Sequence, residues 1–268
     1  MTADDDRYVE ILVAPIRVCA AYQPKLGRGP KAGLSLTDFQ SMYQRDPFYS
    51  WFGLDNPLMY AAHKAAGGMT SLYRQIGIGC ERLFRQILQD RLRLSAEQSQ
   101  WSYAITGANK KSRTLRLDGR IPLADVKDRS RRARIARWMG AAGGELKVDA
   151  DVMRALRGTV FEVRQGYKSK DSKRQNADIA NAATAYSQGY LPCVVLLSNQ
   201  MDSDIYARYR SEQWVILTGR LDGAGNTSST YAFANEVIGY DLAAFFERHA
   251  STFRAEVAKI LEALLRTE

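Results

Sequence analysis

The chain has 268 residues, is 46% hydrophobic and 25% charged, and carries a formal charge of +9. That length and apolar content suit a packed core and exclude a disordered chain. The excess of Lys and Arg makes an acidic polymer, nucleic acid first, the partner to expect. Cys19, Cys80 and Cys193 lie too far apart for a disulfide framework, and no apolar run has the length of a bilayer span, so a cytoplasmic protein with reduced, buried thiols and no membrane partner is expected.

The N-terminus, MTADDDRYVE, is acidic and lacks an apolar leader core. Residues 24 to 56 mix Pro, Gly and aromatic residues without sustained periodicity, which reads as an irregular arm held down by its large rings. From Pro57 the pattern turns helical, with Pro at a first helical position and Leu83, Ile87 and Leu88 at three-four spacing. In SRTLRLDGRIPL, Leu115, Leu117 and Ile121 alternate around a Gly-containing kink at Asp118, as in a short strand or hairpin. Residues 127 to 139 hold six basic residues against one acidic, and Ile135, Trp138 and Met139 supply the buried stripe of a short helix.

TVFEVRQ is β-rich, and DSKRQNADIANAATAYSQG reads as a helix with Asp171 or Ser172 as N-cap, Gly189 past its end, and Ile179, Ala183 and Tyr186 on its apolar face. LPCVVLLS is a short apolar run suited to a fully buried strand; the helical SDIYARYRSE, the strand WVILTG and C-terminal helices follow. Strand, helix, strand, helix, strand implies a mixed α/β core. A domain over residues 71 to 268, with an N-terminal arm and helical extension over 1 to 70 packed on it as a single structural unit, is the expected organisation.

Only two histidines occur, His63 and His249. Zinc hydrolases with His clusters and Ser-His-Asp hydrolases need imidazoles in company, so both are expected at helix surfaces or ends. There is no G-x-x-x-x-G-K-[ST] loop, and GIGCE is not a strand-linked G-x-G-x-x-G, so no nucleotide cofactor is expected.

What remains for chemistry is carboxylates and cations. On a strand, Glu162 and Arg164 share one face while Phe161 and Val163 take the other; one face is then dry and the other can be a site. A carboxylate there is costly to bury unless it meets a cation. Asp118 is a second carboxylate with which Glu162 can share Mg²⁺, an ion that accepts one or two carboxylates, waters and substrate phosphate.

LDGRI followed by FEVR, and then by a segment rich in Lys, Arg, Gln and Asn, resembles the PD-(D/E)xK nuclease superfamily, specifically a type II restriction endonuclease, over about residues 81 to 219. The resemblance implies a restriction-endonuclease-like core, a mixed β-sheet flanked by helices, and Mg²⁺-dependent hydrolysis of double-stranded DNA by a homodimer within a restriction-modification system. By the same resemblance Asp118 and Glu162 are the metal ligands, and Glu81 is the carboxylate that many members carry on the helix before the core. An alternative is a nuclease-fold protein that binds DNA without cutting it.

Three departures from the family pattern stand out. Leu117 occupies the usual Pro position, 44 residues separate Asp118 from Glu162, and Arg164 stands where a Lys is usual. Asp125 and Asp151 are alternatives to Asp118, and Asp178 is a helix-borne alternative ligand. A guanidinium does not deprotonate, so either Arg164 stabilises charge while the metal generates hydroxide, or Lys168 or Lys170 reaches in from positions of the same parity. The cations Lys168, Lys170, Lys173 and Arg174 suit phosphate contacts, and Gln175, Asn176, Asp178 and Asn181 join Arg174 as candidates for the DNA interface. The plain alternative for each is a solvated helix face.

Overall fold

The computed structural model describes residues 3–26, 32–106, 112–166 and 181–267. The chain forms two compact units, Met1–Gly79 together with Glu247–Glu268, and Cys80–Phe246.

In the first unit, the acidic N-terminal residues begin helix α1 (Ala3–Arg17), with Asp4, Asp5 and Asp6 in the first turn and Arg17 in the last. That order complements the helix dipole. The stretch expected to be irregular holds two helices. Helix α2 (Leu36–Gln44) is capped by Ser35, whose side chain accepts from the Asp38 N–H, and α3 (Pro47–Trp51) is capped by Asp46 with Pro at its start. Both starts are local chemistry, but nine and five residues are too few for apolar periodicity to emerge. The rings do hold this segment, since Phe39, Tyr43 and Tyr60 cluster with Leu34.

Helix α4 (Pro57–Leu92) is one continuous helix of 36 residues. Its Leu72 packs with Ile16, Cys19, Ile260 and Leu264. His249, expected at a helix surface or end, is instead 7% exposed and lies 3.5 Å from Asp5 Oδ2, which also accepts from Arg248 at 3.0 Å. Burial of the Asp5 carboxylate is tolerable because it meets these nitrogen donors.

In the second unit, strands β1 (Trp101–Thr106) and β2 (Ser112–Leu117) form an antiparallel pair, while β3 (Gly119–Pro122), β4 (Gly158–Arg164), β5 (Tyr190–Leu196) and β6 (Val215–Leu217) form a second sheet in that order. β3 runs antiparallel to β4; β4, β5 and β6 are parallel. The alternating segment around Asp118 is therefore not a hairpin. Asp118 is the single residue between two strands that pair in different sheets. At Gly158 a β-carbon would collide with the Ile121 carbonyl, so the close approach of β3 to β4 requires glycine.

Helices flank both faces of this sheet. On one face Phe161 meets Phe84 and Phe233 at ring separations of 5.0 and 5.8 Å. Helix α5 (Arg129–Glu145) joins there, burying Ile135, Trp138 and Met139 as its spacing predicts, with Trp138 4.6 Å from Phe233. On the other face Val160, Val194 and Leu196 pack with Ala182, Ala185, Ile205, Tyr209 and Trp214. Residues 181–187 are helical, and Ile205 and Tyr209 belong to the helix Ser203–Ser211.

The face expected from sequence is shifted here. Ala183 is exposed, and Ala182 and Ala185 take the core positions. Gly189 follows with φ +74°, the left-handed closure expected of a residue past a helix end. The proposed N-cap, Asp171 or Ser172, and Ile179 lie outside the described residues. Every residue of β5 is buried, as expected for a strand covered on both faces. All three cysteines are free and buried, and among the described residues no helix is long and apolar enough to cross a membrane.

Candidate active site

β4 carries Glu162 and Arg164 two residues apart, which puts both side chains on one face. That face is covered, not open as the sequence suggested, because Val160 on the same side packs into the apolar cluster and Glu162 is only 5% exposed. The Arg164 guanidinium pairs with Glu162 Oε1. Arg164 also approaches Glu81 Oε1 at 3.9 Å. The partly buried Arg164 guanidinium thus lies between two carboxylates, one buried and one partly exposed, an arrangement that offsets the cost of enclosing the Glu162 carboxylate.

Asp118 is fixed by three backbone-linked contacts. Its N–H donates to the Phe161 carbonyl at 2.8 Å. Its Oδ2 accepts from the Val163 N–H at 2.8 Å, and its carbonyl accepts from Arg85 Nε at 2.8 Å. The Val163 N–H is a buried donor beyond the end of the β3 ladder, and such a donor needs a partner; the Asp118 carboxylate takes that place. Asp118 is therefore bonded to both chain neighbours of Glu162.

Helix α4 supplies two of the surrounding groups from one face. Glu81 and Arg85 are four residues apart, one helical turn, and reach Arg164 and the Asp118 carbonyl respectively. Arg85 was missed in the sequence; its spacing from Glu81 was the signal available. Next to Glu81, burial first and the Glu81 charge second push the Cys80 thiol up to about 12, so Cys80 is not a nucleophile here.

The cluster lies at the carboxyl ends of parallel strands. Past Arg164 and Leu196 the β4–β5 pairing continues, with the N–H groups of Leu197 and Ser198 donating to the carbonyls of Arg164 and Gln165 at 3.0 and 2.8 Å. Crevices beyond strand carboxyl ends are the usual ligand positions of open α/β sheets.

The candidate set is thus partly assembled. Glu162, Arg164 and Glu81 are joined by ion pairs, and Asp118 bonds the backbone on either side of Glu162. Asp125 follows β3 in a short turn, and Asp151 sits in an exposed helix paired with Arg154, so Asp151 has no part in this cluster. Asn181, expected to face DNA, is 4% exposed, and its Oδ1 accepts from Tyr103 Oη at 3.4 Å; enclosed in this way, it offers no edge to a duplex. Lys168, Lys170, Lys173, Arg174, Gln175, Asn176 and Asp178 lie outside the described residues.

Among the described residues, no three His, Cys, Asp or Glu side chains converge as a metal-ligand set. Mg²⁺ does not require three, since one or two carboxylates with water suffice. Asp118, between β2 and β3, and Glu162 on β4 are hard oxygen donors, so the donor chemistry fits, and an ion bound there would compete with Arg164 for Glu162. No protein-family model matches the chain, and neither curated proteins nor solved structures give a match.

Proposed function

We propose that the chain is an Mg²⁺-dependent, sequence-specific endonuclease of double-stranded DNA, a type II restriction enzyme of the PD-(D/E)xK kind, working as a cytoplasmic homodimer. The observation that carries this reading is Asp118 hydrogen-bonded across to Val163 and Phe161, the two neighbours of Glu162, at the carboxyl end of a central strand. A mixed sheet with its antiparallel strand next to that central strand accords with a restriction-endonuclease-like core.

In this reading Asp118 and Glu162 hold the ion, which when bound polarises a phosphoryl oxygen and lowers the pKa of water. Asp118 brings its carboxylate already oriented by the Val163 N–H. Arg164 remains protonated and cannot serve as base; on leaving Glu162 it is placed to stabilise charge on the phosphate. Glu81 offers the released guanidinium an alternative partner, and Arg85 steadies the Asp118 backbone. The protein's net charge of +9 favours the approach of a polyanion.

The test is digestion of plasmid and phage DNA with Mg²⁺ or Mn²⁺. Discrete fragments with defined ends support the reading, and absence of cutting over a broad range of pH, metal and DNA sequence rejects it. The pairing of Arg164 with Glu162 favours a second reading, a DNA-binding protein without catalysis. Salt-sensitive duplex binding without cleavage in either metal selects it.

A further inference from the structure

We propose that the aromatic face of α3 is a self-association surface, covered by the same face of a second copy of this chain. Phe48, Trp51 and Phe52 are three and four residues apart, a spacing that places them on one side of a helical turn. They are 58, 82 and 68% exposed, and the rings of Phe48 and Phe52 lie 5.0 Å apart. The patch is anchored: Tyr49 stacks on Tyr43 at 4.9 Å, and Tyr43 stacks on the buried Phe39 at 4.3 Å. Asp46 caps the same turn through the N–H groups of Phe48 and Tyr49. The turn is therefore fastened to the core while three large rings face water.

The area suits a dimer. A Phe or Trp side chain brings about 150–250 Å², so at these exposures the three rings leave on the order of 300–500 Å² of apolar surface open, the size at which a surface patch on a monomer is often functional. Two copies face to face cover on the order of 600–1,000 Å². A standard interface of about 1,600 Å², a little over half of it apolar, needs a similar amount. A two-fold contact uses one patch twice and needs no second, different surface.

The neighbouring charges argue against other occupants. In sequence, Arg45, Asp46 and Asp55 flank these rings, one cation against two acids, with Asp46 engaged in capping. Phosphate backbones and anionic lipid surfaces call for clustered Lys and Arg. The inference goes beyond the nuclease reading by assigning the surface on which its homodimer would form, and it stands on the exposed rings alone.

The test is sedimentation velocity of the full chain across micromolar concentrations, for the wild type and for Trp51→Glu combined with Phe52→Glu. The expected result is a concentration-dependent dimer whose dissociation constant rises at least tenfold in the double variant, with an unchanged far-ultraviolet circular dichroism spectrum. Independently, Trp51→Cys treated with a short bis-maleimide should give a covalent dimer, because the native cysteines are buried. A wild type that stays monomeric, a dimer indifferent to the double variant, or a dimer that the Trp51→Cys thiols do not link overturns the proposal. So does co-flotation of the wild type, but not the double variant, with vesicles of phosphatidylcholine and phosphatidylglycerol. Plasmid cleavage is read separately: a monomeric chain that still cuts DNA removes this surface and the homodimer but leaves the nuclease chemistry, whereas a dimer through these rings that does not cut DNA leaves this surface standing.

Discussion

The Asp118 carboxylate accepts the backbone N–H of Val163 at 2.8 Å, although the two residues are 45 apart in the chain. This bond completes the edge of β4 where β3 ends, and it also orients a carboxylate next to Glu162. Structural and chemical roles thus share one side chain, and substitutions can separate them.

Asp118→Ala removes the acceptor and leaves the Val163 donor buried, which should cost about 1–3 kcal/mol. Asp118→Asn keeps an acceptor oxygen and should unfold within about 1 kcal/mol of wild type. Both should abolish metal-dependent cutting. Urea midpoints at constant m, measured beside plasmid cleavage, check this; an Asn variant that cuts like wild type removes Asp118 from the metal site.

Glu162 and Arg164 form a buried pair, with side chains 6 and 13% exposed. Removing Glu162 takes away the nearer carboxylate while Glu81 stays 3.9 Å from the guanidinium, so Glu162→Ala should destabilise by about 1–3 kcal/mol. Replacing both, as Glu162→Leu with Arg164→Met, should recover much of that loss, since apolar isosteres often substitute well for buried pairs. Additive losses in a double-mutant cycle would show the pair to be uncoupled.

Burial pushes the Cys80 thiol from its ordinary value of 9.0 up to about 12, and Cys193 well above 9.0. Above pH 9 the unfolded chain releases protons that these folded thiols retain, so the unfolded state gains and stability falls as pH rises from about 9 to 12. The expected slope is about 1.4 kcal/mol per pH unit for each thiol. Urea midpoints at pH 8 and pH 10 test the direction. Thiol reagent at pH 8 should label the denatured protein much faster than the native one.

Single neutral substitutions at Lys168, Lys170, Lys173 and Arg174 should each reduce the slope of log affinity against log salt by roughly one for every phosphate that the cation neutralises. Fluorescence anisotropy of a labelled duplex from 50 to 200 mM salt, about the range over which such ion pairing weakens strongly, reads this out. Unchanged slopes in all four variants would take the DNA path away from this segment.

The sequence by itself determined the elements whose signals are local: the buried stripe of α5 at Ile135, Trp138 and Met139, the fully covered β5, the left-handed Gly189, and the shared face of Glu162 and Arg164. Each of these follows from strand or helix periodicity, or from backbone sterics within a few residues. Tertiary structure alone decided where the segment around Asp118 divides, which side of 181–187 is buried, that Asn181 and His249 are enclosed, and that residues from 247 onward join the N-terminal unit. It also decided that Arg85 holds the Asp118 carbonyl and that Arg164, between Glu162 and Glu81, fills the polar cluster. These are contacts across tens or hundreds of residues, and chain-local patterns carry no record of which distant partner satisfies a buried donor or charge.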